Sequence, residues 1–160
     1  MAYSHKRAKL LVCIDNTDHS RVALHFACSK AKHLNFALEL IHVMNPSEYN
    51  TNTLFGVSDK LRDERRVEVE KVMNTFAAEA QKYAGITPSC IIREGSLADE
   101  INKAITEDGN FNMLIIGKAS HEASKKDLIS QLTSELAGKI MIPMVIVPGN
   151  LTDQQIEELI

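Results

Sequence analysis

The side chains able to bind or react sit just after apolar runs. Asp15-Asn-Thr-Asp18 follows Lys9-Leu-Leu-Val-Cys-Ile14, and Gly117-Lys-Ala-Ser120 follows Met113-Leu-Ile-Ile116. His121-Glu-Ala-Ser-Lys125 comes next, while Arg93-Glu-Gly95 closes Ser89-Cys-Ile-Ile92. Each cluster suggests a chemistry, and spacing rejects most of them. A Walker phosphate loop requires glycine where Asn112 stands and a hydroxyl residue directly after Lys118. The HExxH zinc helix requires a second histidine where Lys125 stands. A receiver domain needs a phosphoacceptor Asp at the end of its third strand, and this chain has Arg93. A flavodoxin phosphate loop is neutral and hydroxyl-rich, whereas Asp15 and Asp18 would repel phosphate. Neither a GxSxG nucleophile elbow nor the Ser-Gly-Gly-rich loop of an ATP-pyrophosphatase occurs. Cys13, Cys28 and Cys90 lack CxxC spacing and lie beside apolar residues, so all three are expected as small buried core residues. His25, His33 and His42 have no metal-ligand spacing and are expected on partly buried helix and strand surfaces.

The elements that position these residues belong to one domain. A chain of 160 residues holds one well-filled core and is short for two. Its 44% apolar and 24% charged content is the balance of an ordinary globule. A net charge of −3 gives no basis for a nucleic-acid partner, and no apolar run is long enough for a membrane span. The first apolar stretch is broken at Asp15, too early for an export signal, so the expected location is the cytoplasm.

Strand and helix periodicities then alternate. After the first strand, Asn16-Thr-Asp18 offers helix caps, and a helix from about Ser20 carries Ala23, Leu24, Ala27, Cys28, Ala31 and Leu34 on one stripe. Asn35 is its expected stop. Ala37 to Val43 is the second strand, and the polar stretch Asn45 to Ser58 is long enough to be functional or mobile. A helix over Lys60 to Tyr83 turns Leu61, Val69, Val72, Met73, Phe76 and Ala80 inward and leaves Asp63, Glu64, Glu68 and Glu70 solvated. Strand three is Ser89 to Arg93, and a short helix follows over Leu97 to Thr106. Met113 to Gly117, a helix over Ser124 to Leu136, and Pro143 to Val147 complete the series. This order predicts a parallel sheet covered on both faces, with any ligand beyond the carboxyl ends of the strands. Met144 to Val147 is apolar on both faces. The tail after Pro148-Gly149 opens with Thr152 and Gln155 in a capping-box pattern; a frayed end and a docked helix both remain open. Lys6, Arg7 and Lys9 are expected as a solvated lead-in to the first strand.

Several of these segments together resemble the universal stress protein family. The resemblance rests on Cys13-Ile-Asp-Asn-Thr-Asp-His-Ser20, Leu40-Ile-His-Val43, Arg93-Glu-Gly-Ser-Leu-Ala-Asp-Glu-Ile101, and the stretch from Met113 to Val147. It covers roughly residues 8 to 148. It implies a three-layer α/β sandwich of the adenine-nucleotide-alpha-hydrolase-like type, with a five-stranded parallel sheet in the order 3-2-1-4-5. It also implies a homodimer through strand five, which in that order lies at a sheet edge that a partner would cover. On this reading residues 1–148 form the domain and 149–160 a C-terminal tail.

Nucleotide-binding members of that family carry a signature after strand four: Gly, two residues, Gly, nine residues, Gly, then Ser or Thr. Counting from Gly117, these positions hold Ser120, Ser130 and Gln131, so one of four is retained. Pro143 falls at the family's strand-five proline and confirms the register. Asp15 and Val43, which by resemblance contact the adenosine, are intact; Asp15 also reads as a simple turn former and Val43 as ordinary packing. Glycine is needed where backbone approaches phosphate closely or φ is positive. Two replacements remove roughly 2–4 kcal/mol, about 30- to 1,000-fold in affinity. Lys118, Lys125 and Lys126 restore little of it, at about 0.2–1 kcal/mol per exposed pair. The expected protein is a homodimeric regulatory binder with no catalytic residue, no metal, no required cofactor, and weak or absent ATP binding. Two alternatives stay open: an ATP-switched member of the same fold with residues 45–58 as a lid, and a slow nucleotide hydrolase.

Overall fold

Alternation along each strand divides the molecule into two apolar layers. The computed structural model describes residues 7–49, 57–119 and 138–160. Strands β1 (Lys9–Cys13), β2 (Ala37–Met44), β3 (Ser89–Glu94), β4 (Phe111–Lys118) and β5 (Met144–Pro148) form one sheet in the order β3-β2-β1-β4-β5. All four pairings are parallel. Leu10, Val12, Ile14, Leu38, Leu40, Met44 and Ile115 face helices α1 (Asp18–Leu34) and α2 (Val57–Ala84). Leu11, Cys13, Ile41, Val43, Leu114 and Ile116 face α3 (Leu97–Asp108). Because side chains alternate with period two, burying both faces makes the runs 10–13 of β1 and 113–116 of β4 continuously apolar, while β2 is interrupted by Glu39 and His42.

Local capping sets the helix ends. Thr17 accepts a hydrogen bond from the Ser20 backbone N–H, and Asn35 ends α1 at φ 57° in the left-handed region. Gly109 ends α3 in the same way, at φ 71°. Asn45 caps a short 3-10 turn over Pro46–Glu48, which brings Tyr49 into the core at 3% exposed. The α2 side chains expected inward are buried or partly buried, and its acidic residues Asp63, Glu64, Glu68 and Glu70 are exposed. The helix expected over 124–136 lies outside the described residues, as do 50–56 of the candidate lid.

Four expectations need correction. Leu34, expected on the inner stripe of α1, is 37% exposed at the helix's last position. Cys13 and Cys28 are buried, but Cys90 is exposed, because it lies near the start of edge strand β3, where one side has no neighbouring strand. Burial pushes the Cys13 and Cys28 thiols up to about 12, which suits inert core residues. His33 is exposed on the last turn of α1 rather than partly buried. Lys9 is no solvated lead-in either. Its ammonium donates to Glu39 at 2.8 Å and to Asp108, and lies 4.6 Å from the Phe111 ring centroid. This arrangement pairs the nearly buried Glu39 carboxylate and ties the first strand to the end of α3. Arg7 donates twice to Asn35, fastening the chain lead-in to the end of α1.

The tail forms helix α4 (Asp153–Leu159), opened by the Thr152/Gln155 capping box. It docks on its own domain. Ile156 is fully buried, and Ser29 of α1 donates to Glu157 at 3.2 Å. His25 of α1 lies between Glu79 of α2 at 2.7 Å and Asp153 at 2.9 Å, and stacks on Tyr83 with ring centroids 4.1 Å apart. Leu159 is 60% exposed, so among the apolar residues of this helix and its end Ile156 and the half-buried Ile160 face the domain. Truncating this anchor, Ile156→Ala, is expected to lower unfolding stability by about 2–4 kcal/mol in urea denaturation. The surface control Gln154→Ala is expected to shift it by no more than about 0.5 kcal/mol. Equal, small effects from both would show that the tail contributes nothing to the fold.

Candidate functional site

The turn after β1 is organised around Asp15. Its Oδ1 accepts hydrogen bonds from the Ser20 hydroxyl at 2.6 Å and from the Thr17 hydroxyl. The Asp15 backbone N–H donates to the Ser20 hydroxyl at 3.0 Å, and Ser20 itself is buried. One side of the carboxylate is therefore fixed by the first turn of α1. Its other oxygen, Oδ2, has only His19 Nε2 nearby among the described residues, 3.7 Å away, and keeps its capacity to accept.

A cavity of about 180 Å³ opens over the carboxyl ends of β1, β2 and β3. Cys13, Ile14 and Asp15 line it from the end of β1 and the turn after it, His42, Val43 and Asn45 from the end of β2 and the residue after it, and Gly95 and Leu97 from the turn into α3 and its first residue. Glu48 and Arg65 close the side toward α2. Arg65 Nε donates to Glu48 at 3.1 Å, so the lining holds two carboxylates against one guanidinium, with His42 beside them. Gly95 adopts φ 146°, and its N–H donates to the Met44 carbonyl at 2.9 Å, folding the β3 exit toward the cavity. Arg62 of α2 holds Glu94 at 2.7 Å on the same rim. The volume lies below the roughly 300–1,000 Å³ of a site for a drug-sized molecule, so the cavity encloses only part of a ligand of that size.

His42 is positioned by strand alternation on the α2 side, in the row Leu38, Leu40, His42, Met44. Its Nδ1 lies 2.7 Å from the Ile14 carbonyl oxygen. A carbonyl can only accept, so Nδ1 carries the proton. Burial holds the imidazole below its usual range, and the Arg65 charge adds to the effect; the Ile14 hydrogen bond, Glu48 and Asp15 oppose it.

The structure thus brings Asp15 and Val43 together at one cavity. It places Gly117 elsewhere, against α1. A β-carbon there would lie 2.7 Å from the His19 carbonyl carbon and closer still to its oxygen. Glycine at 117 is required by this helix-to-strand contact whatever lies beyond it. Ser120, Ser130 and Gln131 fall outside the described residues, as do His121, Lys125 and Lys126. The sequence reading missed His42, Glu48, Arg65 and Gly95 as cavity residues. Gly95 carried a signal, since a glycine directly after a strand marks a special turn. His42 carried none, because its partner Ile14 is on another strand. Among the described residues, no three His, Cys, Asp or Glu side chains stand close enough to hold a metal ion, and no helix is long and apolar enough to cross a membrane.

A five-stranded parallel sheet in the order 3-2-1-4-5, with a cavity beyond its strand ends, defines an α/β protein with a nucleotide-binding-like fold. Residues 6–148 match the model of the universal stress protein family, and the chain belongs to that family. It is 26% identical over 146 residues to universal stress protein YxiE of Bacillus subtilis, covering 87% of this chain and 97% of that protein. Its fold is similar to universal stress protein UspA from Lactobacillus plantarum, with TM-score 0.71, 16% identity, and 90% and 99% of the two chains covered. The universal stress protein from Archaeoglobus fulgidus in complex with dAMP aligns with TM-score 0.62 at 12% identity, over 88% and 97% of the chains.

The depressed His42 predicts an acid-sensitive fold. Unfolded imidazole titrates near ~6.5, and the folded value is lower. Above about pH 6.5 both states are neutral here, and the stability is complete. As pH falls from there toward the folded value, the unfolded chain binds a proton that the folded chain excludes, and stability declines. Urea midpoints measured at stepwise lower pH are expected to fall across this window, with a shallower fall in His42→Asn. Identical slopes would show that His42 is not held neutral.

Proposed function

We propose that this chain is a cytoplasmic, homodimeric regulatory binding protein that takes the adenosine part of an adenine nucleotide weakly and performs no chemical step of its own. The cavity at Asp15 and Val43 carries the ligand reading. Among the described lining residues, its surplus of carboxylate over guanidinium suits an uncharged base or ribose while leaving phosphates outside. The dAMP complex of the Archaeoglobus fulgidus relative supports the same ligand class. Phosphates add little, because Ser120, Ser130 and Gln131 replace residues of the glycine signature. A binding role for Asp15 is supported by its two hydroxyl donors, which fix one side of the carboxylate and leave Oδ2 to accept.

Support for the dimer lies at the other end of the sheet. Strand β5 pairs only with β4 and leaves one edge unpaired among the described residues. Ile146 on it is 43% exposed, and Met141 just before it is 90% exposed. A second copy meeting this edge across a two-fold axis would satisfy the open backbone groups and cover both side chains.

Titration calorimetry with AMP, and with ATP plus magnesium, tests the ligand. Both are expected to bind with dissociation constants of about 50–500 μM, within about tenfold of each other. An ATP constant in the low micromolar range, far below that of AMP, would reveal a working triphosphate site instead. No heat from either would remove the nucleotide reading. Sustained phosphate release above an Asp15→Ala control would overturn the non-catalytic assignment. Sedimentation at micromolar concentration is expected to show the dimer mass, and a lone monomer species would refute the β5 interface.

A further inference from the structure

One ring nitrogen of a cavity residue is assigned by the structure and has no partner among the described residues. His42 lines the cavity beside Asp15, Glu48 and Arg65. Its Nδ1–H is committed to the Ile14 carbonyl at 2.7 Å, so the neutral ring has a bare lone pair at Nε2. Among the described residues no hydrogen bond reaches that nitrogen, and it is not one of the fully buried polar atoms lacking a partner. His42 lines the cavity with that nitrogen uncommitted among the described residues. Asp15 Oδ2 and the Glu48 carboxylate are also acceptors, and Arg65 is already engaged by Glu48 and Glu68. The polar groups left over in this lining mostly accept, so the complementary ligand edge is one that donates.

We propose that His42 is a specificity-determining residue of this cavity: its Nε2 accepts a hydrogen bond from the exocyclic amino group of an adenine base and disfavours purines lacking a donor there. This rests on the reading that the cavity takes the base of a nucleotide. The bond to Ile14 is what makes the reading specific. It fixes the tautomer and orients the ring, so the lone pair does not have to be selected when the ligand arrives. A neutral hydrogen bond of this kind accounts for a discrimination of about three- to tenfold.

The probes are AMP and purine riboside 5′-monophosphate, which has hydrogen in place of the amino group and no donor on its base. Titrations followed by NMR are expected to show AMP binding about three- to tenfold tighter in the parent protein. In His42→Asn the side-chain amide can still donate to the Ile14 carbonyl, but nothing remains at the Nε2 position. That variant is expected to lose the preference, with AMP weakened to the level of the analogue and the analogue unchanged. Equal affinities in the parent, or a preference preserved in the variant, would overturn the role of His42 and leave the nucleotide reading standing. No binding of either probe to the parent would overturn both.

Nitrogen NMR of the parent supplies a second readout if the variant fails to fold. Nε2 of His42 is expected to appear unprotonated at neutral pH in the free protein, and to shift on adding AMP but not on adding the analogue. A protonated Nε2, or the same shift with both probes, would refute the proposal without any substitution.

Discussion

The His19 carbonyl occupies the space that any side chain at Gly117 would need. That close approach seats the first turn of α1 directly on the end of β4, and much else follows from it. Gly149 repeats the constraint from the exit of β5, where a β-carbon would lie 2.6 Å from both the His19 β-carbon and the Lys118 carbonyl oxygen. Its N–H donates to that same carbonyl at 2.7 Å. Two glycines on neighbouring strand exits therefore hold one helical turn between them. Overpacking at such a contact typically costs about 1–3 kcal/mol, and here the obstructing atoms include backbone that cannot rotate away. With the turn so placed, Thr17 caps α1, Ser20 is buried, and both hydroxyls meet the Asp15 carboxylate.

The ends of the strands consequently differ. The first turn of α1 packs against the exits of β4 and β5, and a cavity lies over β1, β2 and β3. The long α2 walls that cavity through Arg65, and the turn at Gly95 brings the β3 exit against it. At the opposite ends of the strands the problem is one of burial rather than of recognition. There Lys9 neutralises Glu39 and Asp108 in a setting where an unpaired carboxylate would be costly. The tail helix adds a third kind of contact, one apolar anchor at Ile156 ringed by hydrogen bonds from His25 and Ser29. It packs where α1 and α2 meet, away from the cavity residues.

Much of this was legible in the sequence because it is local. The αL stop at Asn35, the capping box at Thr152, and the inward stripe Val69, Met73, Phe76 and Ala80 each depend on neighbours within a turn or two. Asp15 was legible as the residue ending the first strand, and Val43 through the family resemblance. The strand order came from that same resemblance, since periodicity identifies strands without ordering them. Cys90 shows the limit of local reading. Its apolar neighbours resemble those of Cys13, yet it stands on an edge strand and is exposed.

Residue types and spacing by themselves determined an alternating α/β chain, its helix caps and the apolar faces that must be buried. Those properties arise from φ/ψ preference and side-chain period, which act over a few residues. Only the tertiary structure decided that Gly117 packs on His19, that Lys9 meets Asp108, and that the carbonyl of Ile14 sets the tautomer of His42. Each of these joins residues far apart in sequence. Such pairs exist only after the parallel sheet has closed, because the direction of a hydrogen bond or the clearance at a glycine is a property of surfaces brought together by folding.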